Sequence, residues 1–159
     1  MDRTSMKLEG DRTIIISRTF NGPARIVFDA WTRPELVERW WAPKSHGVTL
    51  SLCEADVRVG GKYRYVLRLP SGDEIGFSGE YTEVTPHTRL IYTQIFEPMA
   101  EAGAVVCTIQ LEEREGKTFL VSHELYPSAE ARTMTLESGM ESGMRETMDQ
   151  LDELVASMA

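Results

Sequence analysis

The chain has 159 residues, a formal net charge of −8, a hydrophobic fraction of 42% and a charged fraction of 26%, as expected for one globular domain. The negative charge argues against nucleic acids and anionic membranes as partners, because both bind clustered positive charge. No apolar run is long enough to span a membrane, and residues 1–12 are too polar for a signal peptide. The two cysteines, Cys53 and Cys107, match no metal or redox spacing, so we expect a reduced cytoplasmic setting with no metal and no cofactor.

The first twenty residues predict a flexible start and one strand. Residues 1–11 are polar and are expected to be flexible. β-branched side chains are frequent over residues 12–20, which favours a strand. Arg18 falls on the apolar phase of this strand, and we expect it to be solvated at the strand end. An inward position would require a carboxylate partner, either from a residue such as Glu124 or Glu80 or from a ligand.

Two short helices are predicted after this strand. Pro23 is tolerated at the first position of a helix, and the sequence Thr32-Arg33-Pro34-Glu35 has the form of a capping box for a second one that Pro43 ends. The two helices carry three closely spaced tryptophans, Trp31, Trp40 and Trp41. We interpret them mainly as an apolar plug between the helices and the sheet, and at least one could also form the wall of a ligand pocket.

Residues 48–125 alternate between apolar and polar side chains in about six segments separated by turn sequences, a pattern typical of antiparallel strands. The alternation predicts an inward face of the sheet that includes Tyr65, Phe77, Tyr92, Gln94 and His123. We interpret His123 first as a core or rim histidine that bonds a neighbour, and a ligand contact is the alternative. No Ser-His-Asp arrangement can be placed around it.

Residues 128–158 repeat apolar side chains at steps of three and four, which predicts one amphipathic helix of about thirty residues. Ser128 is its predicted N-cap. Its apolar face includes three methionines, Met140, Met144 and Met148. Gly139 and Gly143 are unusual inside a helix, where each costs about 1 kcal/mol relative to alanine. They indicate either a close approach of another segment or open space beside the helix.

The order of these elements predicts an α+β fold, because the helices are segregated from a run of successive hairpins. We assign residues 12–158 to a single domain. The order resembles the helix-grip fold of the START/SRPBCC superfamily, in which a twisted antiparallel sheet of about six to seven strands wraps around a long C-terminal helix.

Four segments resemble the family named after the activator of heat-shock protein 90 ATPase. They are FDAWTRPE at residues 28–35, RWWAPK at 39–44, DVRVGGKY at 56–63, and the pair GM with the later LDEL within 143–154. The resemblance covers about residues 12–156 and implies the helix-grip fold. It does not imply one function, because the family spans many activities and many of its members have no known function.

Two departures from the family pattern bear on function. Eukaryotic co-chaperones of the family carry an additional N-terminal domain that docks on the chaperone, and we expect none in a chain of 159 residues that a single domain nearly fills. Many relatives have tryptophan after the helix glycine, where this chain has Met144, a softer and more adaptable side chain. Chaperone activation is therefore less expected than ligand binding.

We predict that the protein binds a small hydrophobic molecule in a cavity between the sheet and the C-terminal helix, and that it is not an enzyme. The candidate cavity residues are Trp31, Trp40, Trp41, Tyr65, Phe77, Tyr92, Gln94, His123, Met140, Met144 and Met148. One alternative is an enzyme of the cyclase or hydrolase type that uses His123 or a tyrosine, and another is a co-chaperone-like interaction module. No residue is assigned to catalysis or to a metal, since the three histidines lack metal-ligand spacing.

A homodimer is predicted from apolar residues on the outer face of the sheet. Ile91, Ile95 and Val106 are out of phase with the inward residues of their strands. The loop over residues 97–103 is also poor in polar side chains. An exposed apolar patch of this kind is commonly covered by a two-fold partner, whereas the alternative is that scattered surface aliphatic residues need no cover.

Overall fold

The computed structural model describes residues 4–159, and eight strands form one antiparallel sheet in the order β1-β2-β8-β7-β6-β5-β4-β3. The strands are β1 (Ser5–Glu9), β2 (Thr13–Phe20), β3 (Thr49–Ala55), β4 (Lys62–Arg68), β5 (Glu74–Thr85), β6 (Arg89–Phe96), β7 (Val105–Arg114) and β8 (Lys117–Leu125). The helices are α1 (Ala24–Thr32), α2 (Pro34–Val37), α3 (Ala129–Glu137) and α4 (Met140–Met158), with short 3-10 segments at Lys44–His46 and Glu97–Ala102. The predicted α+β helix-grip fold is confirmed, with a strand count slightly above the expected six to seven.

The additional strand, β1, lies in the segment that was expected to be flexible. It pairs antiparallel with β2, so that Lys7 lies opposite Ile15 and Leu8 lies opposite Ile14. An edge strand is held by backbone hydrogen bonds along one side and tolerates polar, exposed side chains. Polar composition therefore did not distinguish it from a flexible segment. The rest of that prediction, for residues 1–3, lies outside the described residues.

The prediction of one continuous C-terminal helix is wrong, because the chain forms two helices, α3 and α4, in this region. Gly139 separates the two helices and adopts φ 83°, a left-handed conformation that favours glycine. The N-cap prediction is confirmed, since the Ser128 side chain accepts a hydrogen bond from the backbone N–H of Ala131 over 3.0 Å. None of the α3 residues is buried, whereas α4 buries four of its side chains.

The hydrophobic core lies between α4, α1 and the inner face of the sheet. Leu151 and Val155 of α4 are fully buried and pack in one cluster with Val27 of α1 and with Phe20 and Leu120 of the sheet. Met144 packs against the edge of this cluster, and Met140 packs against a smaller one beside β2. The apolar periodicity of the C-terminal residues therefore predicted the buried face of α4 correctly.

Arg18 is not at a solvated strand end as expected, but is 5% exposed. Its guanidinium donates to the carboxylates of Asp149 and Asp152, the latter over 2.8 Å, and to the Thr4 hydroxyl over 3.0 Å. Asp152 therefore lies on the side of α4 that faces β2. This ion cluster joins β2 to α4, and Glu124 takes no part in it.

Two further features bear on the setting of the protein. Cys107 is buried, Cys53 is partly buried, and both are free thiols. Among residues 4–159, no helix combines the length and the apolar character that a membrane-spanning segment needs. The cytoplasmic setting stays a prediction.

Candidate ligand-binding cavity

A cavity of about 330 Å³ lies between the inner face of the sheet, the segment that follows α1, and α4. Its volume is at the lower end of the range of small-molecule sites, which runs from about 300 to 1,000 Å³. Nine of the eleven predicted site residues line it: Trp31, Trp40, Trp41, Phe77, Tyr92, Gln94, Met140, Met144 and Met148. The folded chain therefore brings together residues from α1, β5, β6 and α4 that are far apart in the sequence.

Tyr65 does not line this cavity but lies directly beneath it. It is buried and lines an adjoining hollow of about 10 Å³, which shares Trp31, Trp41, Tyr92 and Gln94 with the main cavity. The ring of Trp41 packs edge-on against Tyr65 and Phe77, with 5.1 Å between ring centroids in each case. Tyr65 thus supports an aromatic wall of the cavity from behind.

The assignment of His123 to the inward face is wrong. The neighbouring residues Ser122 and Glu124 line the cavity, so that His123 lies on the opposite face of β8, in register with Ile15 and Thr108. Two apolar residues share its face and are strongly exposed, Phe119 at 44% and Leu125 at 40%.

The phase of β8 was misread because its inward residues are the more polar set. These residues are Thr118, Leu120, Ser122 and Glu124. Thr118 is fully buried and its hydroxyl donates to the Gly22 carbonyl over 2.7 Å. A strand that buries hydrogen-bonded polar groups and exposes apolar ones cannot be oriented by hydrophobicity alone.

The tryptophans serve both roles that the sequence suggested. Trp40 is 2% exposed and its indole N–H donates to the Ala30 carbonyl over 2.8 Å, as in a core residue. Trp31 packs edge-on against Trp40 with ring centroids 4.8 Å apart. The indole N–H of Trp31 is buried and has no hydrogen-bond partner within the described part of the chain. Trp31 is thus a cavity wall that carries a free donor.

Glu124 is the acidic residue of the cavity, and the sequence interpretation missed it, having named it only as a possible partner of Arg18. Its carboxylate accepts a hydrogen bond from the Tyr126 hydroxyl over 3.1 Å. Burial raises the pKa of Glu124 to about 7, and the hydrogen bond from Tyr126 acts in the opposite direction. The sequence carries no signal that would have found it, because the more apolar phase of β8 is the one that faces away from the cavity.

The remaining polar groups of the cavity are neutral. Gln94, Ser122 and Thr147 contribute amide and hydroxyl groups. Burial raises the pKa of the Cys107 thiol and of the Tyr92 hydroxyl well above their ordinary values, so both stay protonated near neutral pH. Within residues 4–159, no group of three or more His, Cys, Asp or Glu side chains is placed to hold a metal ion. The cavity can therefore enclose an apolar body and offer it a few hydrogen bonds and one carboxyl group.

The sequence model of a family described as "Activator of Hsp90 ATPase homolog 1-like protein" matches residues 21–156. The chain belongs to this family. The resemblance inferred from its motifs is thereby confirmed, and the match includes α1, nearly all of α4 and every strand except β1 and β2.

Solved structures of bacterial proteins share the fold over nearly the whole chain. A crystal structure of a Rhodobacter sphaeroides protein is 26% identical with a TM-score of 0.88, and covers 97% of this chain and 99% of its own. One from Nitrosomonas europaea is 25% identical with a TM-score of 0.83, over 95% and 98% of the two chains. A Staphylococcus aureus protein of unknown function, 17% identical with a TM-score of 0.71 over 98% and 96%, shares the fold alone. No curated protein matches the chain.

Proposed function

We propose that this protein binds a small, mainly apolar molecule in the cavity between the sheet and α4. The observation that supports it is the cavity of about 330 Å³, whose walls combine five aromatic side chains and three methionines with a few polar groups. Small-molecule sites have this composition, because apolar walls supply affinity and a few fixed polar groups supply orientation.

The N-terminal part of α4 is the side from which a ligand would enter. Met140 and Met144 are only partly buried there, and methionine adapts to apolar partners of different shape. Gly143 lines the cavity between them, and a Cβ atom at this position would meet only Pro43 Cγ, at 3.8 Å. This free space supports the interpretation that Gly143 leaves open space beside the helix, rather than allowing the close approach of another segment.

An enzyme of the cyclase or hydrolase type is the second candidate, and one observation favours it. His123, its proposed base, faces away from the cavity, but Glu124 is a titratable cavity group with a pKa near neutral. Such a carboxyl can act as a general acid or base. The co-chaperone alternative stays a prediction, and a pull-down of the chaperone with a measured increase of its ATPase activity tests it.

Ligand binding can be tested with prodan, a neutral naphthalene fluorophore whose emission changes in apolar surroundings. We expect saturable prodan binding to the parent protein and a loss of affinity of at least about tenfold in Gly143→Phe, whose added ring fills the cavity. Ser142→Phe is the matched control, because it adds the same ring at the adjacent, exposed position of α4.

Native mass spectrometry of the freshly purified protein adds a test that needs no probe. A co-purified small molecule that is lost in Gly143→Phe and retained in Ser142→Phe would support the proposal. The proposal would be contradicted if prodan bound equally to both variants, or if the parent protein neither bound prodan nor carried a co-purified molecule.

A further inference from the structure

We propose that the cavity selects apolar amines, whose ammonium group pairs with Glu124 while the aromatic walls hold the apolar body. This inference rests on the proposed function of the cavity as a ligand site. It adds the chemical class of the ligand.

The first argument is that the Glu124 carboxylate is incompletely occupied by the protein. One oxygen, Oε1, accepts the Tyr126 hydrogen bond, and Glu124 has no other hydrogen bond or ion pair to residues 4–159. A carboxylate has about four acceptor positions on its two oxygens. The remaining positions are therefore available to a donor inside the cavity that Glu124 lines.

The second argument is that the cavity provides no positive charge to balance Glu124. Among the described residues that line it, none is lysine, arginine or histidine. The titratable groups that face Glu124 are Cys107 from β7, Tyr92 from β6 and Tyr126, and burial raises the pKa of each, so all three are neutral. The position opposite Glu124 on β2 is Ile14, and Met140 of α4 packs against the cluster of Ile14, Ile16 and Tyr126. A bound ammonium would thus be the one cation of the site.

The third argument concerns the walls. The faces of tryptophan and tyrosine attract cations through their ring quadrupole, by about 0.5–2 kcal/mol in desolvated sites. Five aromatic side chains line this cavity, among them Trp31, Trp41 and Tyr92. Aromatic walls around a lone carboxylate favour an ammonium over a neutral hydroxyl, which gains no charge attraction. The site disfavours a carboxylic acid, because the negative charge of its anion would be repelled by the Glu124 carboxylate.

The test compares naphthylethylamine, naphthylethanol and naphthylacetate, which share one ring system and differ in the charge of the head group. We measure their dissociation constants by isothermal titration calorimetry at about pH 8, where a primary amine is still protonated and Glu124 is ionised. The amine should bind at least about tenfold more tightly than the alcohol, and the acid should bind most weakly. Glu124→Gln should remove the advantage of the amine over the alcohol.

Glu153→Gln is the matched control, because it removes one negative charge from an exposed position of α4 and should keep the advantage of the amine. The pH dependence is a second measurement that needs no variant. The affinity for the amine should rise as the pH increases through about 7, because Glu124 loses its proton there, and the affinity for the alcohol should not rise.

The outcomes separate this inference from the function on which it rests. Equal affinities for the amine and the alcohol would overturn the selection of amines while leaving ligand binding supported. An advantage of the amine that survives Glu124→Gln would overturn the role of Glu124. If none of the three compounds bound, both the selection and the proposed function would be contradicted.

Discussion

The Tyr126 hydroxyl donates to Glu124 Oε1 over 3.1 Å from outside the cavity that Glu124 lines. Tyr126 is buried in a separate cluster with Ile14 and Ile16, so it fixes the carboxyl group without filling the cavity. The pair places a single acidic group, held in position, on the wall of an apolar site.

Glu124 should make the stability of the protein depend on pH in the direction opposite to that of an ordinary ion-paired carboxylate. Burial raises its pKa from 4.5 in the unfolded chain to about 7 in the folded protein. Between these two values the folded state holds more protons, so the free energy of unfolding falls as the pH rises. Glu124→Gln should therefore be more stable relative to the parent at about pH 8 than at about pH 5, by about 1–3 kcal/mol.

Urea denaturation at both pH values measures this difference, and Glu153→Gln provides the control for a change in net charge. A difference between Glu124→Gln and the parent that is the same at both pH values would show that the carboxyl has no raised pKa.

Trp40 and Trp41 should differ in their contributions to stability and to ligand binding, although the sequence pattern does not distinguish them. Trp40→Ala should lower the free energy of unfolding by about 3–5 kcal/mol, because it leaves a cavity in the core and removes the bond to the Ala30 carbonyl. Trp41→Ala should cost less stability, since Trp41 is partly exposed on the cavity wall, and should weaken prodan binding. Chemical denaturation of both variants checks the prediction, and equal losses of stability would contradict it.

The two glycines of the C-terminal region should respond oppositely to alanine. Gly143→Ala should stabilise the protein by up to about 1 kcal/mol, because alanine favours the helix and its methyl group meets only Pro43. Gly139→Ala should destabilise it by about 1–2 kcal/mol, because alanine disfavours the left-handed conformation at φ 83°. Nothing lies within 4 Å of a Cβ at Gly139, so that cost is conformational. Thermal melts of both variants measure these changes in stability. A Gly139→Ala variant more stable than the parent would contradict the left-handed helix break at Gly139.

The homodimer stays a prediction, and the structure identifies the residues with which to test it. Ile91 lies opposite Thr108 and Ile95 opposite Ser78, on the face away from the core. Val106 and Leu125 are paired on the same face and are exposed. We expect a dimer mass in sedimentation equilibrium at micromolar concentration, and a monomer mass for the double variant Ile91→Glu with Ile95→Glu. A monomer mass for the parent protein would refute the dimer.

The sequence predicted the fold and most of the cavity because both depend on strong periodic signals. The alternation of the middle strands placed Tyr92 and Gln94 inward, and the steps of three and four placed Met144 and Leu151 on the buried face of α4. Apolar side chains determine both patterns, so hydrophobicity sufficed.

The incorrect predictions concern segments in which polar groups are buried or in which backbone conformation, rather than side-chain hydrophobicity, determines the structure. In β8, Ser122 and Glu124 face inward and Phe119 is exposed, so the apolar residues indicated the wrong face. The break at Gly139 depends on a dihedral angle that the side-chain pattern does not encode, since apolar periodicity continues across it. Glu124 was missed because it is one of the inward polar groups of β8. The apolar walls of the cavity could therefore be predicted from the sequence, whereas its carboxyl group could not.

Methyl NMR of the methionines tests the central claim, ligand binding in the cavity, most directly. With the methionine ε-methyl groups labelled, titration with prodan should shift the signals of Met140, Met144 and Met148 with one shared dissociation constant, because all three line the cavity. The signals of Met134 and Met158, which are exposed and lie outside it, serve as controls in the same spectrum and should stay in place. Saturable prodan binding that shifts only the control signals, and leaves the three cavity methyl groups unchanged, would contradict the account.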